Sequence, residues 1–148
     1  CWSWSMAKKK KKSTVAQEVE KAAKLLQRLV RLKASDDYGF CQCVSCGRIG
    51  HYKTMDGGHF YSRRHSRLKL FMENVAPQCK RCNMNMGDAV VSEGYRTYMI
   101  DMYGERRVRA MKRLTYLPPK KWVREEVIQF SRDLKEQIKD QEWRIGEI

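Results

Sequence analysis

Two Cys-x-x-Cys pairs, Cys43-Val44-Ser45-Cys46 and Cys79-Lys80-Arg81-Cys82, constrain the fold of this chain more than any other feature. A two-residue spacer turns both sulfurs of a pair toward one point, and tetrahedral Zn²⁺ takes four thiolates at about 2.3 Å. The expectation is a structural zinc on Cys43, Cys46, Cys79 and Cys82. Such a closed site adds on the order of 10 kcal/mol of apparent folding free energy. That matters in a chain with 32% charged residues and a mean hydropathy of −0.72, whose apolar core is modest. Cys41 stands too close to Cys43 to share its turn, and Cys1 falls in an atypical opening segment, so neither is an expected ligand. Paired cysteines in a sequence with no evident secretory signal read as metal ligands in a reducing compartment rather than as disulfides.

The 148 residues suit one domain and carry 31 Lys plus Arg against 17 Asp plus Glu, a formal charge of +14. A field of that size concentrates polyanions, which favours nucleic acid or an anionic membrane surface. No apolar run approaches the roughly 20 residues of a membrane span. The basic residues are spread along the whole chain and the helical stripes lack a bulky interfacial face, which disfavours a membrane-surface binder. No small-molecule substrate is expected.

Residues 1–12 read as a leader followed by a basic arm: Cys1 to Ser5 differ from the rest, and Lys8 to Lys12 repel one another and are expected to stay mobile. In 13–36, Thr14 and Gln17 have capping-box spacing, and Val15, Val19, Ala22, Leu26 and Leu29 form a helical stripe that ends before Gly39. Residues 37–104 hold the cysteine unit. In 105–148, a helix after Pro118-Pro119 carries the stripe Val123, Val127, Phe130, Leu134 and Ile138. Both stripes serve as core contacts, or as the seam of a homodimer. Tyr95, Tyr98, Met99 and Met102, then Val108, Met111 and Leu114, predict two short helices broken near Gly104.

The interval between the knuckles exceeds the 15–20 or so residues of a simple zinc ribbon, so it houses something more. It contains Asp56-Gly57-Gly58-His59-Phe60-Tyr61-Ser62-Arg63-Arg64, with β-forming Ile49 and Tyr52 before it and Phe60 and Tyr61 within. A β-hairpin presenting His59 is the simplest expectation, with Gly57-Gly58 allowing either a bulge or a tight approach of backbone. After Cys82 comes Asn83, where a helix is expected to begin. An asparagine oxygen there either caps the helix or coordinates a hard cation.

The order Cys43-x-x-Cys46, Asp56-Gly57-Gly58-His59-Phe60, Asn74 in Glu73-Asn74-Val75, Gln78-Cys79-x-x-Cys82-Asn83, then Gly87 and Tyr95, resembles the HNH or ββα-metal nucleases. Within them it is most similar to the phage lambda NinG (Rap) recombination-protein family. The resemblance covers about residues 40 to 104. It implies an α+β protein with a zinc-stabilised ββα-metal core flanked by N- and C-terminal helices. The implied activity is endonucleolytic cutting of branched DNA such as Holliday junctions and D-loops, in the cytoplasm of a phage-infected bacterium.

By the same resemblance His59 is the general base and Asn74 braces the hairpin loop. Asn83 binds a single Mg²⁺ or Mn²⁺, which stabilises charge on the phosphate and the departing oxygen. HNH sequences commonly place Asp or His directly before the catalytic histidine, where this chain has Gly58. Asp56 is the expected carboxylate ligand, with His51 or His65 as substitutes. Arg63, Arg64, Lys80 and Arg81 are the expected phosphate contacts, since a guanidinium holds phosphate bidentately. A non-catalytic, zinc-stabilised DNA-binding adaptor is the competing expectation, and Gly58 favours it. A two-fold dimer using the helices outside the zinc unit would suit a junction cut on two strands.

Overall fold

A computed structural model describes residues 9–147. The leader and the start of the lysine arm, residues 1–8, lie outside the described residues, while Lys9 to Lys12 are exposed and irregular. The chain then enters helix α1, Val15–Ala34, through the predicted capping box. The Gln17 amide donates to Thr14 Oγ1 at 3.2 Å, and the Thr14 amide donates to Gln17 Oε1 at 2.9 Å. This satisfies two of the donors that a helix start leaves unpaired. Val19, Ala22, Ala23, Leu26, Leu29 and Val30 are buried along one face.

That face meets the last long helix, α6, Arg124–Arg144, which buries Val127, Leu134 and Ile138. Val123 is the residue before the helix and is exposed, so the stripe begins one turn later than expected. Arg28 of α1 also pairs with Glu142 of α6 at 2.7 Å. The two stripes are therefore consumed within one chain, and neither is left over as a dimer seam.

Between these helices lie two small antiparallel sheets, which makes the architecture α+β. Strands β1, Phe40–Gln42, and β2, Ile49–His51, form a ribbon whose loop is the first cysteine knuckle. Strands β3, Asp56–His59, and β4, Val75–Gln78, pair with Asp56 opposite Gln78 and His59 opposite Val75. This corrects the single hairpin expected around His59. Ile49 belongs to one sheet and the Gly57-Gly58 strand to another, and β3 finds its partner across a connection holding the short helix α2, Ser66–Lys69. Nor is there a bulge, since the four residues of β3 pair one for one with β4.

The β3–β4 sheet sits between α1 and helix α4, Ala89–Tyr103. Alternation decides which residue faces which helix. Val75 packs among the α1 leucines, whereas its neighbour Ala76 packs with Tyr95 and Met99 of α4. Helix α3, Lys80–Met84, follows β4 directly, with Cys79 as its N-cap. Gly104, at φ 84°, breaks α4 from helix α5, Glu105–Leu114, as the sequence predicts.

A cysteine cluster beside a cleft

The four expected thiols converge. The Sγ atoms of Cys43, Cys46, Cys79 and Cys82 lie within 4.8 Å of one another, and none forms a disulfide. Cys46 Sγ and Cys79 Sγ are 3.8 Å apart. Sulfurs at about 2.3 Å from a tetrahedral ion would be separated by roughly that distance, so the donor set fits Zn²⁺ in number, chemistry and spacing. Local backbone produces the convergence. The Gly47 amide closes the first knuckle on the Cys43 carbonyl at 2.9 Å, and the Cys82 amide points at Cys79 Sγ at 3.5 Å. The Arg48 amide favours the Cys46 thiolate and brings its pKa down to about 7, while burial pushes Cys82 up to about 12. Cys41 is buried on β1 and does not belong to the group of four.

The cluster anchors the segment joining β4 to α3 and so fixes α3 against β3. Among the described residues the sheet has two strands, which leaves the far edge of β3 unpaired. Along that edge opens a cleft of about 670 Å³. Asp56, Gly57, His59, Arg63 and Asn83 line it, together with Gln27 of α1. Asn83 is the fourth residue of α3 rather than its cap, a correction to the expected helix start.

Strand alternation puts Gly57 and His59 on the α1 side of β3, and Asp56 and Gly58 on the α3 side. A Cβ at Gly57 would fall 2.7 Å from the Gln27 Cα. One at Gly58 would fall 1.8 Å from Gln78 Oε1 and 3.2 Å from Asn83 Oδ1. Only glycine fits either position. The room that a side chain before His59 would need is already filled by Gln78, which is 0% exposed. Gln78 donates to Ser45 Oγ at 2.9 Å, while its Oε1 has no hydrogen-bond partner. Asp56, two residues earlier on the same face, takes the position facing α3 instead. Its Oδ2 accepts from Asn83 Nδ2 at 3.1 Å and its Oδ1 pairs with Lys80 Nζ at 2.9 Å. Burial pushes the Asp56 carboxyl up, but the hydrogen bonds from Lys80 and Asn83 outweigh it and leave it below the ordinary range.

His59 is half-buried on the other face. Its Nε2–H donates a hydrogen bond to the Lys69 carbonyl at 2.9 Å, which leaves the Nδ1 lone pair available. Burial holds its pKa below 6.5, against the opposing effect of that carbonyl. The imidazole is thus neutral with one basic nitrogen at physiological pH. Asn74, 0% exposed, holds the loop after β3: its Oδ1 accepts from the Tyr61 amide at 2.9 Å, and its Nδ2 donates to the Tyr61 and Leu68 carbonyls. Tyr95, buried under the sheet, donates its hydroxyl to the Gly58 carbonyl at 2.7 Å.

The other expected residues are more scattered. Arg63 reaches the cleft but pairs with Glu20 of α1 at 2.7 Å, an acid that also holds Lys69. Arg64 is exposed. Arg81 is exposed beside the cluster, where the sulfurs of Cys82 and Cys46 raise its pKa. His51 packs on Tyr52 and Phe40, and His65 precedes α2; neither lines the cleft. Gln27, Gln78 and Glu20 were not foreseen. A signal for Gln78 existed in the adjacent glycines of Asp56-Gly57-Gly58-His59, which imply that something bulky presses on β3, but not what it is.

The sequence profile of the family described as Bacteriophage Lambda NinG protein matches residues 3–143. No curated protein and no solved structure matches the chain.

Proposed function

This chain belongs to the bacteriophage lambda NinG protein family, and from that premise we propose that it is a divalent-metal-dependent endonuclease acting on branched DNA in phage recombination. The observation that carries the reading is the meeting of Asp56, His59, Asn83 and Arg63 in one cleft along the open edge of β3. A carboxylate and an amide oxygen form a hard donor set suited to Mg²⁺ or Mn²⁺. When bound, the ion would stabilise negative charge on the phosphate and the departing oxygen.

The remaining chemistry falls to the chain's own groups. His59 Nδ1 takes a proton from the water that attacks the phosphorus, with Lys69 carbonyl fixing the tautomer. Asn74 keeps the loop after β3 from shifting that ring. Lys80 neutralises Asp56 until the site is loaded and then becomes available to phosphate. Arg63 exchanges Glu20 for a phosphate oxygen, a trade between two charge-assisted pairs. Cys43, Cys46, Cys79 and Cys82 would hold a structural zinc that keeps β4 and α3 in place, outside the chemistry.

The non-catalytic adaptor remains the second reading, and the pairing of Asp56 with Lys80 and Asn83 favours it. A labelled four-way junction incubated with the zinc-loaded protein and Mg²⁺, Mn²⁺ or Ca²⁺ separates the two. The endonuclease gives nicked strands with Mg²⁺ or Mn²⁺; an adaptor gives a retarded complex and intact strands with every ion.

A further inference from the structure

Helix α5 carries Arg106, Arg107, Arg109, Lys112 and Arg113 against a single carboxylate, Glu105. Arg107 is used internally, pairing with Glu73 through two hydrogen bonds of 2.7 and 3.2 Å. The other four have no carboxylate partner among the described residues. At about 100° per residue Arg106, Arg109 and Arg113 lie within about 60° of one another, and Lys112 extends that arc to the flank of the buried Val108. With Tyr116, 76% exposed at the helix end, they line a concavity of about 530 Å³. None of these residues lines the cleft on β3.

Four like charges crowded on about two turns repel one another, and none is paired with a carboxylate among the described residues. We propose that this face of α5 is a second DNA-binding site, gripping the sugar-phosphate backbone of a DNA arm separate from the one in the cleft. From Arg106 to Arg113 the helix rises about 10 Å. Duplex DNA presents one phosphate per roughly 1.7 Å of axis, both strands counted, so that length of basic face meets several phosphates. Arginine forks suit bidentate phosphate contacts, and Tyr116 offers an aromatic ring to an unstacked base at a branch. The patch is also held at a fixed place relative to the cleft, because Tyr61, two residues past His59, donates its hydroxyl to the Val108 carbonyl of α5 at 3.2 Å. A rigid second grip would let the protein sense the angle between two arms.

The inference rests on the chain being a DNA-binding protein, but not on its cutting DNA. Its test compares wild type, Arg109→Ala/Arg113→Ala and a control, Lys135→Ala/Lys139→Ala on the exposed face of α6, in binding a four-way junction across a salt series. Loss of two phosphate contacts lowers the slope of log K against log salt by nearly 2 and weakens binding between about tenfold and a hundredfold at 0.1 M salt, since each phosphate contributes about 0.9. The α6 control keeps the wild-type slope, and thermal melting verifies that all three proteins are folded. An α5 variant with the wild-type slope, or a control that loses as much, overturns the second site alone. A wild type that fails to bind DNA at low salt overturns both this inference and the proposed function.

Discussion

Gly58 is where this chain departs from the Asp or His common before the histidine of HNH sequences, and its surroundings bear on Asp56 as the proposed ligand. A side chain at 58 would strike Gln78 Oε1, whereas Asp56 lies on the same strand face with Asn83 and Lys80 in reach. Gly58→Asp is therefore expected to disrupt the site rather than restore a ligand. Overpacking of this kind costs about 1–3 kcal/mol, and a thermal melt with a lowered midpoint, alongside reduced junction cutting, checks it. His59 supplies a second residue-scale expectation. Burial lowers its pKa in the folded chain, so the unfolded chain binds the proton more readily and stability falls as pH drops below about 6.5. The same depression keeps the base neutral, so the acid limb of the single-turnover pH–rate profile should lie below pH 6.5, and a limb above it would show that another group titrates. The four converging cysteines could be named from their spacing, and the resemblance picked out Asp56, His59 and Asn83, which line one cleft. Gln78 could not, because its role depends on a cross-strand neighbour that no local pattern reveals.

At the scale of elements, helices were legible and strands were not. The capping box at Thr14 and the spacing of Val19, Ala22, Leu26 and Leu29 announce α1 because a 3.6-residue period repeats over five turns. The strands are three or four residues long, and β3 and β4 read Asp-Gly-Gly-His and Val-Ala-Pro-Gln. Gly and Pro argue against strand propensity, and the pairing spans a loop, so long-range packing decides it. That packing is testable. Leu26, fully buried where α1 meets the sheet and α6, should cost about 2–5 kcal/mol when cut to alanine. Asn74→Ala should cost about 1–3 kcal/mol for each buried backbone group it strands, and its cutting rate should fall even at temperatures where it is folded. Urea melts and cleavage at 10 °C read both effects; a variant with wild-type stability would mean that the loop holds itself.

For the molecule as a whole, the four-cysteine cluster, a site that could hold zinc, lies in the same core as the α1 leucines and Leu134 and Ile138 of α6. The cluster is the part of the fold most completely visible in the sequence, since two CxxC pairs marked out the four sulfurs that the fold brings together. Stripping the metal with a chelator, or Cys82→Ser, is expected to release α3 from β3 while α1 and α6 keep part of their helicity. Circular dichroism would then show partial helix loss with exposure of core to a hydrophobic dye. The dimer expected from substrate geometry must use some surface other than the α1 and α6 stripes, which are buried in each other.

The central claim is that an imidazole on the edge of β3 does the chemistry in a cleft built by zinc. The most direct test is the single-turnover rate of four-way-junction scission with Mn²⁺, comparing wild type with His59→Ala in preparations that each hold one zinc per chain. The account predicts loss of at least about a hundredfold in rate, the usual worth of a general base, with junction affinity unchanged. Scission by His59→Ala at the wild-type rate would contradict it.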